Sequence, residues 1–420
     1  MAGNRFRHGR SIVKLLSKFI TATAFVAAGN AAATELDVMH WWTSGGEAAA
    51  VAEFAKAFDA TGNTWVDAAI VGGEAARAAM VSRIIGGEPM GAFQFNHGRQ
   101  AEELIESGLL RDITDIAEAE GWKDMVNPSS LLDACTVDGR IYCAPVNIHS
   151  WQWLWVSHKA FEDSGVSVPT NWTEFVAGAA ALEAAGKVPL AMGQQGWQQS
   201  GAFNVMMASL LPNDIFMAVY GDKDASVAAG PEVTSLFEAA ENARSMAAKS
   251  TVQNWNDATN LVITGQAGGQ IMGDWAQGEF AVANAVAGED YSCLPGLGMN
   301  PRLGTGGDAF YFPVLKDDAK VAAQGELAAL LLKPTTQVAF NLKKGSLPVR
   351  GDVDLSAAND CMQKGLALLD QGALLPDTNM LLTPDTANQM NTLFTEFFAD
   401  TSISAADAQA DFVKMIANAD

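Results

Sequence analysis

Basic residues are scarce in this sequence of 420 residues. The 26 lysines and arginines face 48 aspartates and glutamates, which gives a net charge of −22 at pH 7. A surface with this excess of negative charge repels nucleic-acid phosphates and anionic lipid head groups. Nucleic acid is therefore not an expected partner.

Motifs of catalysis and of metal binding are missing as well. The sequence has no G-x-S-x-G, H-E-x-x-H or G-x-x-x-x-G-K-[ST] motif, no C-x-x-C and only five histidines. A loosened dinucleotide fingerprint, Gly304-x-Gly306-x-x-Ala309, leads into the strand-like segment AFYFPV and not into a helix. We therefore expect neither a cofactor nor a metal ion.

The first 33 residues have the layout of a secretory signal peptide. Five basic residues precede an apolar stretch at 19–28, and a run of small residues ends at Ala33. A membrane-spanning helix needs roughly 20 apolar residues, so an uncleaved anchor is the less favoured alternative. We expect cleavage near Ala33 and export to the periplasm. The mature chain would then carry 21 basic and 48 acidic residues, a net charge of −27.

All four cysteines follow the predicted leader, which fits an oxidising compartment. Four cysteines allow three pairings. Cys135 and Cys143 bracket TVDGRIY, whose Asp-Gly pair is typical of a hairpin turn, so a bridge between these two cysteines is geometrically reasonable. Cys293 would then pair with Cys361. The alternative is four free buried thiols.

Strands and helices alternate at the start of the mature chain. Segments 35–40, 64–70 and 91–96 are typical of strands, and helical spacing of apolar residues follows the first two, near Glu47 and over 73–87. Nearly 390 residues exceed what one hydrophobic core usually organises. We therefore expect an α/β fold with a largely parallel sheet and at least two domains or lobes.

The rest of the chain is richer in helix. Asn171 is a predicted helix cap with Glu174 three residues later, and Ser404 with Asp407 has the same pattern near the C-terminus. The segments AGGQIMGD and AFYFPV look like strands. Ligands of such sheets bind at the carboxyl ends of the strands, so the loops after His40 and Phe95 are the first candidates for a site.

Seven segments at these positions resemble one known family. They occur in the order HWWTSGGE, FQFNHGRQ, APVNIHSWQWLW, NWTEF, QIMGDWAQGEF, GGDAFYFPV and KKGSLPVR, across nearly the whole mature chain. Together they resemble the sugar-binding proteins of bacterial ABC importers, extracellular solute-binding family 1, and most closely the glucose/mannose-type binders.

The resemblance implies a two-lobed periplasmic-binding-protein-like α/β fold of type II, with the ligand cleft between the lobes. Lobe one is expected to contain 34–148 plus 309–348, and lobe two 149–308 plus 349–420. The chain is expected to cross between lobes near 145–151, 307–312 and 347–350. It also implies a monomeric protein that is not an enzyme and that delivers a monosaccharide to the transmembrane subunits of an ABC importer.

A pyranose has hydroxyl groups around its rim and C–H groups on its faces, so its site needs carboxylates and amides at the edge and aromatic rings above or below. By resemblance, Trp41, Trp42 and Trp255 are cleft residues, and Trp275 follows a predicted strand end. Core packing is the alternative for each tryptophan. Since adjacent residues that leave a strand point in opposite directions, we expect only one of Trp41 and Trp42 to stack on the ligand.

Three charged residues match ligand-binding positions of the family. Glu47 follows the paired tryptophans, Asp308 precedes the predicted crossing strand, and Lys344 lies in KKGS. The alternatives are a helix-start charge for Glu47 and a cap for Asp308.

The sequence departs from the family pattern at two places. In FQFNHGRQ, Asn96 holds the position where the family more often has a histidine, and His97 follows; either could face the sugar, and Asn96 is preferred. Asn379 stands where the glucose binders carry another histidine. His149 is expected to be a hinge residue and not a ligand residue.

Other functions remain as alternatives at this point. The ligand could be a disaccharide, an oligosaccharide or another polyol. Glu47 and Asp308 could form the carboxylate pair of an exported glycoside hydrolase, although the family they match is noncatalytic. An adhesive surface protein would have no reason to place tryptophans and carboxylates at strand ends.

Overall fold

The computed structural model describes residues 33–419, so the predicted leader lies outside the described residues apart from Ala33. The strands are β1 (Glu35–His40), β2 (Thr64–Ala69), β3 (Ala92–Asn96), β4 (Thr136–Val137), β5 (Arg140–Ile141), β6 (Cys143–Pro145), β7 (Trp153–Ser157), β8 (Val188–Ala191), β9 (Ala267–Met272), β10 (Tyr291–Pro295), β11 (Leu303–Gly304), β12 (Asp308–Tyr311) and β13 (Leu374–Leu375).

The α-helices are α1 (Gly45–Asp59), α2 (Gly73–Ile85), α3 (Glu102–Glu106), α4 (Thr114–Ala119), α5 (Trp122–Met125), α6 (Ser130–Asp133), α7 (His158–Asp163), α8 (Trp172–Ala184), α9 (Gly196–Leu210), α10 (Asn213–Phe216), α11 (Ala225–Ala228), α12 (Pro231–Ala247), α13 (Trp255–Ile263), α14 (Ala276–Val282), α15 (Asp318–Leu331), α16 (Pro334–Lys344), α17 (Asp360–Asp370), α18 (Thr378–Leu381), α19 (Pro384–Ala399) and α20 (Ala405–Ala417). Short 3-10 turns lie at Arg99–Ala101 and Gly296–Gly298, and a π-turn lies at Met217–Gly221.

The first sheet has the strand order β2-β1-β3-β12-β6. β1 runs parallel to β2 and to β3, whereas β12 runs antiparallel to both of its neighbours, β3 and β6. The alternation of strands and helices at the start of the mature chain predicts parallel strands. The parallel pairing of β1 with β2 and β3 confirms this prediction. The reversed strand β12 is the exception, because it is inserted between β3 and β6 and runs opposite to both.

Helix α1 covers one face of the first sheet. Ser44 caps the helix by accepting a hydrogen bond from the Glu47 backbone N–H, and the apolar stripe Val51, Phe54 and Phe58 is buried. Phe54 stacks on Phe340 of α16 with 4.1 Å between ring centroids. Stacked aromatic pairs of this kind contribute about 0.5–1.5 kcal/mol beyond burial. The pair holds α1, which begins at the cleft described below, against α16, which ends there.

The second sheet has the order β10-β7-β9-β8 and its own buried clusters. Helix α8 packs beside it, and the Asn171 side chain accepts from the Glu174 backbone N–H as predicted. At the C-terminus, Ser404 and Asp407 form the predicted reciprocal capping box of α20. The chain passes from the first sheet to the second between β6 and β7, and returns to the first sheet at β12. The lobe boundaries stay a prediction.

Both proposed disulfides are formed. Cys135 bonds to Cys143 and Cys293 bonds to Cys361, with Cα–Cα distances of 5.0 and 5.9 Å. The first bridge closes the predicted hairpin of β4 and β5, whose turn residues Asp138 and Gly139 have φ of 50° and 74°. Positive φ at both central residues is the requirement of a type I′ turn, which explains the Asp-Gly pair.

Helices α1 and α14 approach each other closely. The Gly46 backbone N–H donates to Glu279 Oε1 over 2.8 Å, and a Cβ on Gly46 would lie 2.6 Å from the backbone carbon of Gly278. Only glycine fits this contact, because real Cβ atoms do not come this near to a backbone atom. α1 packs on the first sheet and α14 follows β9 of the second, so the two halves touch here. Within residues 33–419, no helix combines the length and apolar character needed to span a bilayer.

Candidate functional site

A cleft of about 1340 Å³ lies between the loops of the two sheets. It is larger than the roughly 300–1,000 Å³ of most small-molecule sites. Nine of the ten ligand residues expected from the sequence line it: Trp41, Trp42, Glu47, Asn96, Trp255, Trp275, Asp308, Lys344 and Asn379.

Strand direction explains how distant parts of the chain meet in this cleft. Trp41 and Asn96 come at the carboxyl ends of the parallel strands β1 and β3. Because β12 is antiparallel, its amino end lies at that same edge, and Asp308 pairs in register with Asn96. In the second sheet, β9 ends beside the start of β7, so Trp275 also faces the cleft.

Glu47 and Lys344 form a buried ion pair at the cleft. Lys344 Nζ donates to Glu47 Oε1 over 2.8 Å, and the two residues are 2% and 7% exposed. The Lys344 ammonium also lies 5.7 Å from the ring of Trp42 and 5.9 Å from the ring of Trp275. Both distances are within the range of a cation–π contact, so this lysine contacts residues from both halves of the molecule.

Asp308 is fully buried and surrounded by donors. Its carboxylate accepts from Gln94 Nε2 over 2.7 Å and from Asn147 Nδ2 over 3.0 Å, and His149 Nδ1 lies 3.2 Å away as an ion-pair contact. Asn96 Nδ2 lies 3.2 Å from the other ring nitrogen of His149. We call the group formed by Glu47, Lys344, Asp308, His149 and their amide partners the central network.

The buried charges of the central network shift the pKa values of Asp308 and His149. Burial alone would raise the pKa of Asp308, but the charges of His149 and Lys344 hold it well below the usual range. Burial would lower the pKa of His149, yet Asp308 raises it above the ordinary value. The network thus favours a charged imidazole beside a charged carboxylate, which together can donate to and accept from hydroxyl groups.

The paired tryptophans behave as their opposite directions predict. Trp41 is half-buried in the cleft wall, whereas Trp42 is 1% exposed and packs against Phe54, Phe310 and Phe340. Only an edge of Trp42 reaches the cleft. Trp41 is therefore the member of the pair with a ring face available to a ligand.

The aromatic wall of the other half is formed by three tryptophans. Trp275 lies perpendicular to Trp151, with 4.8 Å between ring centroids, and perpendicular to Trp255 at 6.5 Å. Trp255 begins α13 and Trp275 lies between β9 and α14. The wall thus gives the cleft apolar ring surface directly beside the central network, because the rings of Trp275 and His149 lie 5.1 Å apart between centroids.

His97 is the one expected residue that the structure does not bring into the cleft lining. It is 1% exposed, neither of its ring nitrogens has a partner among the described residues, and burial lowers its pKa to about 4. The chain turns after β3, so that Asn96 points to the cleft and His97 points to the backbone at Gly307. Of the two alternatives in FQFNHGRQ, the structure therefore favours Asn96.

Several cleft residues were not singled out from the sequence. They include Arg77 in α2, Trp151 before β7, and Asp377, whose carboxylate accepts from Asn379 Nδ2 over 2.8 Å. His149, expected as a hinge residue beside the chain crossing, lies between β6 and β7 and contacts Asp308 and Asn96 in the central network. Gln94 was also missed: it is buried outside the cleft lining and donates to Asp308. A polar residue in the otherwise apolar strand AFQFN was the signal that could have identified it.

Comparison with known proteins identifies the family. Residues 42–338 match the family model of the bacterial extracellular solute-binding proteins. A "Probable sugar-binding periplasmic protein" of Rhizobium meliloti (strain 1021) is 34% identical over 359 residues, which cover 84% of this chain and 86% of that protein.

Solved structures support the predicted fold class. A "Chitin oligosaccharide binding protein" superposes with a TM-score of 0.75 at 17% identity, over 91% of this chain and 98% of that one. AcbH, a bacterial solute receptor with an exclusive substrate preference for β-D-galactopyranose, gives 0.74 at 20% identity with the same coverage. These similarities confirm the periplasmic-binding-protein-like fold. The relatives and structural neighbours are named as binding proteins and not as enzymes, in agreement with the expected noncatalytic family.

Proposed function

Because the chain belongs to the bacterial extracellular solute-binding protein family, we propose that it is the periplasmic sugar-binding component of an ABC importer. In this role it captures a sugar in the cleft and delivers it to the transmembrane subunits. The supporting relative from R. meliloti is named as a sugar-binding and periplasmic protein. Export by the leader expected at residues 1–33 belongs to the same proposal.

The observation that carries the proposal is the composition of the cleft. The cleft combines buried carboxylates, an ammonium group, an imidazole and amides with the perpendicular tryptophans that lie beside them. Hydroxyl groups of a sugar require such donors and acceptors, and its C–H faces require ring surface. We propose a pyranose of the glucose or mannose type as the unit bound at the central network.

Binding would favour a closed arrangement of the two halves. The central network lies mainly on the first-sheet half and the tryptophan wall on the other, so a sugar between them contacts both. A ligand shifts a conformational equilibrium only by its different affinities for the two states. The closed form, which has contacts from both halves, is the one that sugar stabilises and that the importer would recognise.

The test is a calorimetric titration of ligand-free protein starting at Thr34 with glucose, mannose, galactose, xylose and maltose. We expect saturable one-to-one binding, and no hydrolysis in the final mixtures. Glu47→Gln removes the charge next to Lys344, and a hydrogen bond to a charged group contributes about 1.5–3 kcal/mol. We therefore expect at least about tenfold weaker binding for this variant.

Glu53→Gln is the matched control, because Glu53 lies on the same helix outside the cleft lining. Circular dichroism would show that both variants are folded. No binding of any sugar by the native chain would contradict the proposed function, and equal affinities for E47Q and E53Q would contradict the assigned site.

A further inference from the structure

Asp377 is a buried carboxylate of the cleft lining that lies outside the central network. It is 8% exposed and follows β13 by two residues. Its Oδ1 atom caps the short helix α18, accepting from the Asn379 backbone N–H over 2.9 Å and from Asn379 Nδ2 over 2.8 Å. Its Oδ2 atom has no hydrogen-bond partner within residues 33–419. One oxygen of this carboxylate is therefore left for a ligand.

The backbone around Asp377 fixes the position of this free oxygen. β13 pairs in parallel with β11, and the Thr305 backbone N–H donates to the Leu375 carbonyl over 2.9 Å. Gly306 packs directly against the carboxylate, since a Cβ at Gly306 would lie 2.9 Å from Asp377 Oδ2. A ligand would therefore find the oxygen already in place, which reduces the entropy lost on binding.

The cations of the central network are already paired. Lys344 forms its ion pair with Glu47, and His149 forms its ion pair with Asp308. Each pair joins one positive and one negative group, so neither leaves a charge for a further carboxylate. No ion pair in the described part of the chain includes Asp377. It is thus an additional buried negative charge beside a network whose charges cancel.

Burial without a cation is unfavourable for a carboxylate. It raises the pKa of Asp377, and the hydrogen bonds from Asn379 and the charge of His149 only partly oppose this. Asp274 is a second buried carboxylate without an ion-pair partner, but it lies outside the cleft lining and accepts from Ser150. A ligand in the cleft can therefore supply a counter-ion to Asp377 and not to Asp274.

The chemistry of such a ligand follows from this missing charge. A sugar hydroxyl group can donate to Asp377 Oδ2, but it does not offset the negative charge. A protonated amino group donates a charge-assisted hydrogen bond and also neutralises the carboxylate. The net charge of −22 for the whole sequence attracts cations as well. The tryptophans of the cleft are compatible with a cation, because ring faces attract positive charge.

We propose that Asp377 binds a protonated amino group and that the ligand is an amino sugar, a pyranose in which an ammonium group replaces one hydroxyl group. This rests on the proposed function and deepens it, since it requires a sugar at the central network. The neutral parent sugar binds as well, but more weakly, because it leaves Asp377 without a counter-ion.

The experiment compares each amino sugar with its neutral parent by calorimetric titration. The probes are glucosamine, mannosamine, galactosamine and kanosamine, with glucose, mannose and galactose as parents. At about pH 6.5 an amine with a pKa near 8 carries its proton. We expect at least one amino sugar to bind about tenfold or more tightly than its parent, as a hydrogen bond between charged groups implies.

The N-acetyl form of the preferred sugar is the control for charge, since it keeps the nitrogen atom but not the positive charge. It should not bind more tightly than the parent sugar. This comparison uses the native protein, so it does not depend on the folding of any variant.

Two variants test the location. Asp377→Asn removes the negative charge but keeps an oxygen that can cap α18, and the ratio of the two dissociation constants should fall to about one. Asp385→Asn is the matched control, because Asp385 is an exposed carboxylate in the first turn of α19 that also lines the cleft. Water and salt screen an exposed charge, so this variant should keep the native ratio within about twofold.

The outcomes separate the two proposals. If a neutral sugar binds and no amino sugar binds more tightly, the amino-sugar proposal is refuted while the proposed function stands. An equal gain for the N-acetyl form would show that charge is not recognised and would also refute it. An unchanged ratio in Asp377→Asn would refute the role of this carboxylate. If no sugar of either kind binds the native protein, both proposals fail.

Discussion

At the scale of single residues, the cleft depends on partners that are far apart in the sequence. Glu47 and Lys344 are separated by 297 residues, and Asp308 and Gln94 by 214. Glu47, Asp308 and Lys344 were singled out from the motifs around them, whereas Gln94 was not. Their direct pairing was not predicted, because one sequence carries no information on which buried charge lies next to which.

Asp274, just before the aromatic Trp275, is a buried carboxylate with an altered pKa. It is 4% exposed and accepts from the Ser150 backbone N–H over 2.8 Å. Burial raises its pKa to about 7, against the opposing effect of His149. In the unfolded chain this carboxyl group titrates near the ordinary value, so unfolding releases a proton between about pH 4 and 7. Its contribution to stability therefore falls as the pH rises through this window.

We predict that Asp274→Asn removes this pH dependence. The stability of the variant relative to the native chain should rise from pH 4 to pH 8, reaching about 2–4 kcal/mol at pH 8. The measurement is urea unfolding at both pH values. Asp370→Asn, at an exposed position at the end of α17, is the control and should show no such trend. If the difference in the free energy of unfolding between Asp274→Asn and the native chain were the same at both pH values, the raised pKa of Asp274 would be contradicted.

At the scale of secondary structure, sequence patterns predicted the early strands and helices near the cleft but not α9, which also lines it. β1 spans the predicted residues 35–40, and the caps at Asn171 and Ser404 form as expected. Alternation and capping are local properties, which is why one sequence suffices for them. The reversal of β12 and the contact between α1 and α14 depend on how distant segments pack, and they were not predicted.

We predict that Gly46→Ala separates α1 from α14. A Cβ at this position would lie 2.6 Å from a backbone carbon of Gly278, which cannot move as a flexible side chain does. Overpacking of this kind costs about 1–3 kcal/mol. Gly45→Ala is the matched control, because its Cβ would have its nearest contact at 3.5 Å. Thermal unfolding of both variants is the measurement, and equal melting temperatures would contradict the close contact.

At the scale of the whole molecule, the two disulfides restrict very different lengths of chain. The Cys135–Cys143 bridge spans a sequence separation of 8, and the Cys293–Cys361 bridge spans 68. The entropy of closing a loop in the unfolded chain rises with the logarithm of its length. The longer bridge also joins β10 to α17, two elements that are not neighbours in the chain.

We predict that removing the longer bridge is the more costly change. The loop-entropy model gives about 4 kcal/mol for Cys293→Ser/Cys361→Ser and about 2.5 kcal/mol for Cys135→Ser/Cys143→Ser. Guanidinium unfolding of the two double variants provides the comparison, with each variant serving as the control for the other. If removal of the Cys135–Cys143 bridge lowered the free energy of unfolding more than removal of the longer bridge, local packing and not loop length would determine how much each disulfide stabilises the protein.

The reversed strand β12 has a consequence for biosynthesis. The central network joins residues that lie far apart in the sequence, from Glu47 to Lys344. Asp308 pairs with β3 in the sheet, but it is synthesised long after β1 and β3, and Lys344 follows later still. A ribosome that has made only the first half of the chain has made Trp41 and Glu47 but neither of these partners. The central network of the nascent protein is thus incomplete until about four-fifths of the chain has been synthesised.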